Sequence, residues 1–163
     1  MIFTPHILVG TVIGTKTQDL GLIILLGIAI HILLDKLPHW EYAVETDLRN
    51  FHKTKKIKYF IRPFIKASID FLSGLLIVFF IILQNNLFYL LPYIMVAIFF
   101  SLLPDILGGS MFLFAKDKFI EKYIKIFIKY FHIKNKEEDN KITFLNITTQ
   151  ILVVIICVFL LYL

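Results

Sequence analysis

The final apolar segment, Ile142–Leu163, constrains the fold most strongly. Its 22 residues contain no charged side chain, and that length crosses a hydrocarbon core of about 30 Å as a helix. Because lipid cannot satisfy backbone hydrogen bonds, other apolar segments of a membrane chain are also expected to be helical. Four precede it: residues 4–14, Leu20–Leu34, Ala67–Leu83 and Leu87–Leu103. The sequence therefore predicts an all-α, polytopic membrane protein with one integral domain over residues 1–163.

Composition supports this class. Hydrophobic residues make up 58% of the chain, including 17 Phe, whereas soluble domains have about 45–50% apolar residues. We attribute the net charge of +5 to membrane topology and anionic headgroups, so no nucleic-acid partner is expected. The single Cys157 excludes an intramolecular disulfide and a thiolate metal site. The N-terminus has no basic region or small-residue cleavage site, so no cleaved signal peptide is predicted.

The apolar segments group into two short helical hairpins and a last transmembrane helix. Thr4 and Pro5 resemble an N-cap followed by proline at the first helical position. Gly10 and Gly14 have a small-xxx-small spacing that permits close approach of another helix. The hairpins are similar in pattern and predict a tandem repeat. The predicted parts are hairpin 1 at about 4–35, a basic loop at 36–66, hairpin 2 at about 67–105, an amphipathic segment at 116–141 and the last helix at 142–163.

Basic residues predict the orientation in the membrane. Eight of the 17 Lys and Arg lie between Lys36 and Lys66, and eight lie between Lys116 and Lys141. The positive-inside rule places both segments and the N-terminus in the cytoplasm, which predicts a multi-pass protein of the inner or plasma membrane. Four lysines share one face of the second segment and are expected to contact anionic lipid headgroups: Lys118, Lys122, Lys125 and Lys129.

Polar residues at the helix ends predict a metal site. His31 and Asp35 are one helical turn apart and can reach a common ligand, and His39 and Glu41 follow Pro38, which is expected to end the helix. Ionisable residues in membrane segments usually face the bundle interior and mark function. Five predicted metal ligands share one depth: His6, His31, Asp35, Asp70 and Asp105. His39 is a further, weaker candidate ligand.

This ligand set suits zinc or manganese, and magnesium is possible. A divalent ion lowers the pKa of a bound water, so the predicted reaction is hydrolysis. Asp35 or Asp70 is the expected catalytic base when it is not itself a ligand.

Each residue also has a simpler interpretation. Asp35 and Asp105 are also explained as interfacial caps, and Asp70 as the partner of Lys66 in a surface ion pair of little energetic value. His31 can hydrogen-bond to a neighbouring helix, and His6 can lie in solvent near the terminus. A single site explains all five at once.

The chain also resembles a known family. Thr4-Pro-His6, His31-x3-Asp35 and Leu103-Pro-Asp105 resemble motifs of the predicted membrane-bound metal-dependent hydrolases of bacterial inner membranes. The resemblance covers roughly residues 1–110 and implies that His6, His31, Asp35 and Asp105 are metal ligands, with Asp70 a further candidate. Two motif elements differ, since Ile106 follows where a second Asp is frequent and a Thr-His-Ser-type motif is missing. Such differences imply a changed site geometry or a relative that binds without catalysing.

We therefore expect a membrane-embedded, metal-dependent hydrolase-like protein acting on a phosphoester or lipid headgroup. One alternative is a small ion or solute transporter, which would need a water path through outer helix halves that are rich in Leu, Ile, Val and Phe. The other is a non-catalytic membrane scaffold that uses the basic segments as its interaction surface.

Overall fold

The computed structural model describes residues 2–40, 42, 44–113 and 143–163, except for the side chains of residues 44–46, 49 and 111–113. All regular structure in these residues is helical, which confirms the all-α prediction. The predicted amphipathic segment 116–141, with Lys118, Lys122, Lys125 and Lys129, lies outside the described residues, as does Glu41. The helices are α1 (Phe3–Lys16), α2 (Leu20–Leu34), α3 (Val44–Thr54), α4 (Lys58–Gln84), α5 (Leu91–Leu113, after a 3₁₀ turn at Leu87–Leu90) and α6 (Phe144–Tyr162).

Three of the described helices are long and apolar enough to cross a membrane. They are Lys58–Gln84, Leu87–Ser110 (the 3₁₀ turn together with α5) and Phe144–Tyr162. Their outer faces expose large apolar side chains, as Leu76 and Phe80 do on α4, and a surface of this kind is stable in lipid rather than in water. Helix α2 is equally apolar but has only 15 residues. These features support a membrane protein.

Helix α1 is the central element of the bundle. It contacts α2, α4, α5 and α6, and its buried residues lie on all sides, including Ile7 and Leu8, which are fully buried. Its 14 residues extend about 21 Å at 1.5 Å per residue. The other helices therefore surround a short apolar helix, which gives its side chains a protein environment instead of lipid.

Glycines allow α1 to approach α5 closely. A Cβ atom placed on Gly10 would lie 2.8 Å from Cα of Ile98, and one on Gly14 would lie 2.5 Å from Cα of Ile94. The small-xxx-small prediction is therefore confirmed, with α5 as the partner. Since Gly10 meets Ile98 and Gly14 meets Ile94, the two helices are antiparallel.

Helix α4 runs alongside α1 in the same direction. The Thr4 hydroxyl lies 2.6 Å from an Asp70 oxygen, and a Cβ on Gly74 would contact the side chain of Ile7 at 2.8 Å. We call the end of the bundle at which α1 begins the entry end. Residues of α4 before Asp70 thus lie at or beyond the entry end.

Helix α6 shares this direction. Near its start, the Thr149 hydroxyl donates to the carbonyl of Pro38, which follows the end of α2. At its other end, the Tyr162 hydroxyl donates to Gln84, the last residue of α4. Thr143 caps its N-terminus, close to the predicted start at residue 142. The start of α6 and the end of α2 therefore both lie at the entry end.

The predicted loop and hairpin boundaries need correction. Residues 36–66 are not only loop, because they contain α3 and the first turns of α4. Helix α4 has 27 residues and α5 has 23, so the second hairpin is not short. Helix α5 also continues through Pro104 and Gly109 to Leu113 instead of stopping near Asp105. An interior proline costs a helix about 3 kcal/mol, yet Pro63 lies inside α4 and Pro104 inside α5, so neither proline ends its helix.

The start of α1 also differs from the prediction. The helix begins at Phe3, with Ile2 at the N-cap position and no side-chain cap there. The Thr4 hydroxyl instead contacts Asp70 on α4. A carboxylate from another helix thus replaces the local cap that Thr4 was expected to supply.

We predict that Gly14→Ala destabilises the bundle. The added methyl group would meet the α5 backbone at 2.5 Å, and overpacking of this kind costs about 1–3 kcal/mol. Gly109→Ala is the matched control, because a Cβ there meets nothing within 4 Å. Thermal unfolding in detergent should give a lower midpoint for Gly14→Ala and an equal or higher one for Gly109→Ala. Equal midpoints for Gly14→Ala and the wild type would contradict the close packing of α1 and α5.

Candidate metal centre

Four ionisable side chains from three helices meet at the entry end. His6 comes from α1, His31 from α2, Asp35 from the C-cap of α2 and Asp105 from α5. Nε2 of His6 lies 3.3 Å from Oδ1 of Asp35 and 4.0 Å from Oδ2 of Asp105. Nε2 of His31 lies 3.2 Å from Oδ2 of Asp35 and 3.9 Å from Oδ1 of Asp105. We call these four residues the His/Asp cluster.

The cluster is enclosed by protein. Both histidines are fully buried, the Asp35 side chain is 1% exposed and that of Asp105 is 14% exposed. One potential ligand atom each from His6, His31 and Asp105 lies within 4.8 Å of the other two, a grouping that could hold a metal ion. Buried ionisable groups are costly unless they are paired or bind a metal. The burial of these four side chains is therefore expected to depend on pairing or on a bound metal.

Ser101 on α5 contacts both histidines, through the ring of His31 and the backbone of His6. Its carbonyl oxygen accepts a hydrogen bond from Nδ1 of His31 at 2.7 Å, and its hydroxyl donates to the His6 carbonyl at 2.8 Å. Histidines that bind metals commonly donate their second nitrogen to a backbone carbonyl in this way. The sequence analysis did not single out Ser101. Its only signal was a small polar residue in the apolar run before Asp105, and a contact made by a carbonyl has no side-chain signature.

The hydrogen bond from His31 to Ser101 determines which ring nitrogen of His31 carries the proton, and therefore whether the nitrogen that faces Asp35 is protonated. A carbonyl can only accept, so Nδ1 of His31 carries the proton. In a neutral ring, Nε2 then directs a lone pair towards the Asp35 carboxylate 3.2 Å away. Two acceptors at this distance repel each other, and a proton or a metal ion between them removes the repulsion.

The two imidazole rings are themselves stacked. The ring centroids of His6 and His31 are 4.3 Å apart, and the planes are inclined by 26°. Two imidazolium rings at this separation would repel each other. In addition, Nδ1 of His6 is buried and makes no hydrogen bond among the described residues. Metal binding by the cluster suits this geometry better than a proton on each ring.

Asp70 lies apart from the cluster, at the start of α1. Its carboxylate accepts hydrogen bonds from the backbone N–H groups of Phe3 and Thr4 and from the Thr4 hydroxyl. Burial, together with this neighbouring carboxylate, raises the pKa of Tyr42, so its hydroxyl stays protonated and donates to Asp70. A carboxylate at a helix N-terminus also stabilises the helix dipole. The structure therefore gives Asp70 a role in holding α1, and neither the ligand role nor the base role predicted for it is carried forward.

His39 is buried in the loop that follows α2. Its Nδ1 contacts the carbonyl of Leu37 at 2.6 Å. The same loop is held by α6, because the Gln150 amide donates to the Trp40 carbonyl at 2.6 Å. A ligand role for His39 stays a prediction. The loop itself closes the bundle beside the end of α2.

No protein-family model, curated protein or solved structure that was compared with this chain matches it. The resemblance to membrane-bound hydrolases therefore stays a prediction.

We predict that Asp70→Ala weakens the fold without removing metal binding. Loss of the contacts to the first turn of α1 should lower the free energy of unfolding by about 0.5–2 kcal/mol, as loss of a helix cap does. Thermal unfolding and metal content of the purified protein measure the two effects separately. An Asp70→Ala variant that has the melting midpoint of the wild type but binds no metal would indicate that Asp70 is a metal ligand.

Proposed function

We propose that the chain is a membrane-embedded, metal-dependent hydrolase whose divalent ion is held by the His/Asp cluster. The observation that carries the proposal is the convergence of two imidazoles and two carboxylates from α1, α2 and α5 within 4.0 Å in a buried position. The resemblance to membrane-bound metal-dependent hydrolases agrees with it. The ligand chemistry suits zinc or manganese best, and magnesium is possible.

The residues of the His/Asp cluster would hold the ion. Imidazole Nε2 atoms and carboxylate oxygens would be the donors, and the Ser101 carbonyl holds the His31 ring in the tautomer that leaves Nε2 available. A bound ion would supply Lewis acidity and activate a water for attack. Of the two predicted bases, Asp35 or Asp70, only Asp35 lies in the cluster. An Asp35 oxygen that is not ligating the ion can accept a proton from an attacking water.

Charge at the entry end favours an anionic substrate. Lys58, Arg62 and Lys66 follow one another at intervals of four along α4 and are exposed, and they precede Asp70, which contacts the start of α1. Lys36 is also exposed, directly after Asp35. These cations support a phosphoester substrate, such as a phospholipid headgroup at the membrane surface.

We further propose that the entry end faces the cytoplasm of an inner or plasma membrane. Among the described Lys and Arg residues, Lys16 lies at the end of the bundle opposite the entry end. The other described Lys and Arg residues follow α2 and precede Asp70, and they lie at the entry end. The positive-inside rule places such a surface in the cytoplasm.

We expect the wild-type protein, purified in detergent with zinc or manganese present, to retain the ion, and Asp35→Asn to lose most of it. The substitution removes a negative charge that lies against both histidines. Plasma mass spectrometry measures metal per chain, and hydrolysis of a chromogenic phosphodiester measures activity, which should fall together with the metal.

Asp19→Asn is the matched control. Asp19 is also a carboxylate at a helix end, but it caps the start of α2 at the opposite end of the bundle. Its replacement should leave metal content and hydrolysis unchanged. Absence of metal from the wild type after incubation with zinc and with manganese would contradict the hydrolase proposal and favour a scaffold.

The orientation is tested by labelling single cysteines in a Cys157→Ser background. A membrane-impermeant maleimide added to intact host cells should react with Leu163→Cys, at the end opposite the cluster. Lys55→Cys should react only after the cells are permeabilised. The reverse pattern would contradict a cytoplasmic entry end.

A further inference from the structure

We propose that the His/Asp cluster binds two divalent ions, one at each histidine, bridged by both carboxylates. This inference rests on the proposed function and deepens it. One ion would be held by Nε2 of His6 and the other by Nε2 of His31, while Asp35 and Asp105 would each give one oxygen to each ion. Asp35 would then be a bridging ligand and not the base, since its base role requires an oxygen that does not bind an ion.

The pairing of oxygens with histidines carries the proposal. Asp35 directs Oδ1 to His6 and Oδ2 to His31, at 3.3 and 3.2 Å. Asp105 directs Oδ2 to His6 and Oδ1 to His31, at 4.0 and 3.9 Å. Each carboxylate therefore spans the two imidazoles almost symmetrically, which is the arrangement of a bridging carboxylate.

The distances fit ligands that share an ion. Two donors about 2.0–2.1 Å from a tetrahedral ion are separated by roughly 3.3 Å. The Asp35 oxygens already lie at this separation from the two Nε2 atoms. The oxygens of Asp105, on α5, lie about 0.7 Å farther from the same two Nε2 atoms, at 4.0 and 3.9 Å. An inward movement of its side chain by this amount completes both sets of ligands.

The stacking of the histidines favours two ions over one. The lone pair of Nε2 lies in the plane of its ring, and the planes of His6 and His31 are inclined by only 26° at a centroid separation of 4.3 Å. Both Nε2 atoms also face the same two carboxylates, so the lone pairs of these nearly parallel rings point side by side instead of converging on one nearby ion. The ring separation of 4.3 Å is close to the 3.5–4 Å that separates the ions of two-metal sites.

Two ions also suit catalysis better than one. A single ion bound by all four residues would have a closed set of protein ligands, as structural zinc sites do. With two ions, each has three protein ligands and one open position, as catalytic sites do. Four positive charges against two carboxylates leave a net charge of +2, which attracts the two non-bridging oxygens of a phosphodiester. The inferred substrate class is therefore an anionic phosphodiester.

Metal stoichiometry tests the inference. The detergent-purified full chain is stripped with a chelator, titrated with Mn²⁺ and freed of loosely bound ions by gel filtration. We expect two ions per chain at saturation and an exchange-coupled electron paramagnetic resonance signal from the Mn²⁺ pair. One ion per chain with an uncoupled signal would overturn the inference while leaving the proposed metal site intact. No bound ion would overturn both.

Single histidine variants give a second readout. His6→Gln and His31→Gln should each retain one ion, with the exchange-coupled signal lost, because each leaves the other histidine and its two oxygens in place. Loss of all metal from either variant, with an unchanged melting midpoint, would contradict one ion per histidine. Asp19→Asn, which leaves the cluster intact, should keep two ions and the coupled signal.

Discussion

The close approach of α1 to α5 is the constraint on which the site depends. At Gly10 and Gly14 the two backbones are so near that a methyl group would not fit. This contact places the start of α1 beside the last turns of α5, where Ser101 binds the His6 carbonyl and Asp105 reaches both histidines. Helix α2 joins the same end through the hydrogen bond from His31 to Ser101. A short, buried helix can thus carry a histidine into a membrane protein without exposing it to lipid.

The surrounding helices set the chemistry of the cluster. Helices α4, α5 and α6 have apolar outer faces and are long enough to span a membrane, and the cluster lies at one end of the bundle, near exposed basic residues. Ionisable groups at such a depth are expensive and are usually retained for a function. A metal ion accounts for two imidazoles directed at two carboxylates, because it satisfies acceptors that would otherwise repel one another.

Much of the cluster was predictable from local patterns. His31 and Asp35 share a helix face by their spacing. His6 lies near the start of the first apolar run and His31 and Asp35 near the end of the second, so a hairpin of the two runs places them at one end. Asp70 was assigned to the same site because the apolar run begins near it, yet α4 starts 12 residues earlier, at Lys58. The charged residues that precede the apolar run, such as Arg62 and Lys66, belong to the helix, so the start of the apolar run does not mark the start of α4. Ser101 was missed because its carbonyl, which every residue has, makes the contact with His31. Tertiary hydrogen bonds of this kind leave no trace in a single sequence.

X-ray absorption spectroscopy of the metal-loaded, detergent-purified protein tests the central claim most directly, because it reports the donor atoms themselves. The account predicts a first shell of nitrogen and oxygen at about 2.0–2.2 Å from zinc, outer-shell scattering typical of imidazole, and a metal–metal vector near 3.5–4 Å. A first shell with sulfur, or a spectrum without imidazole scattering, would contradict a metal centre built from His6, His31, Asp35 and Asp105.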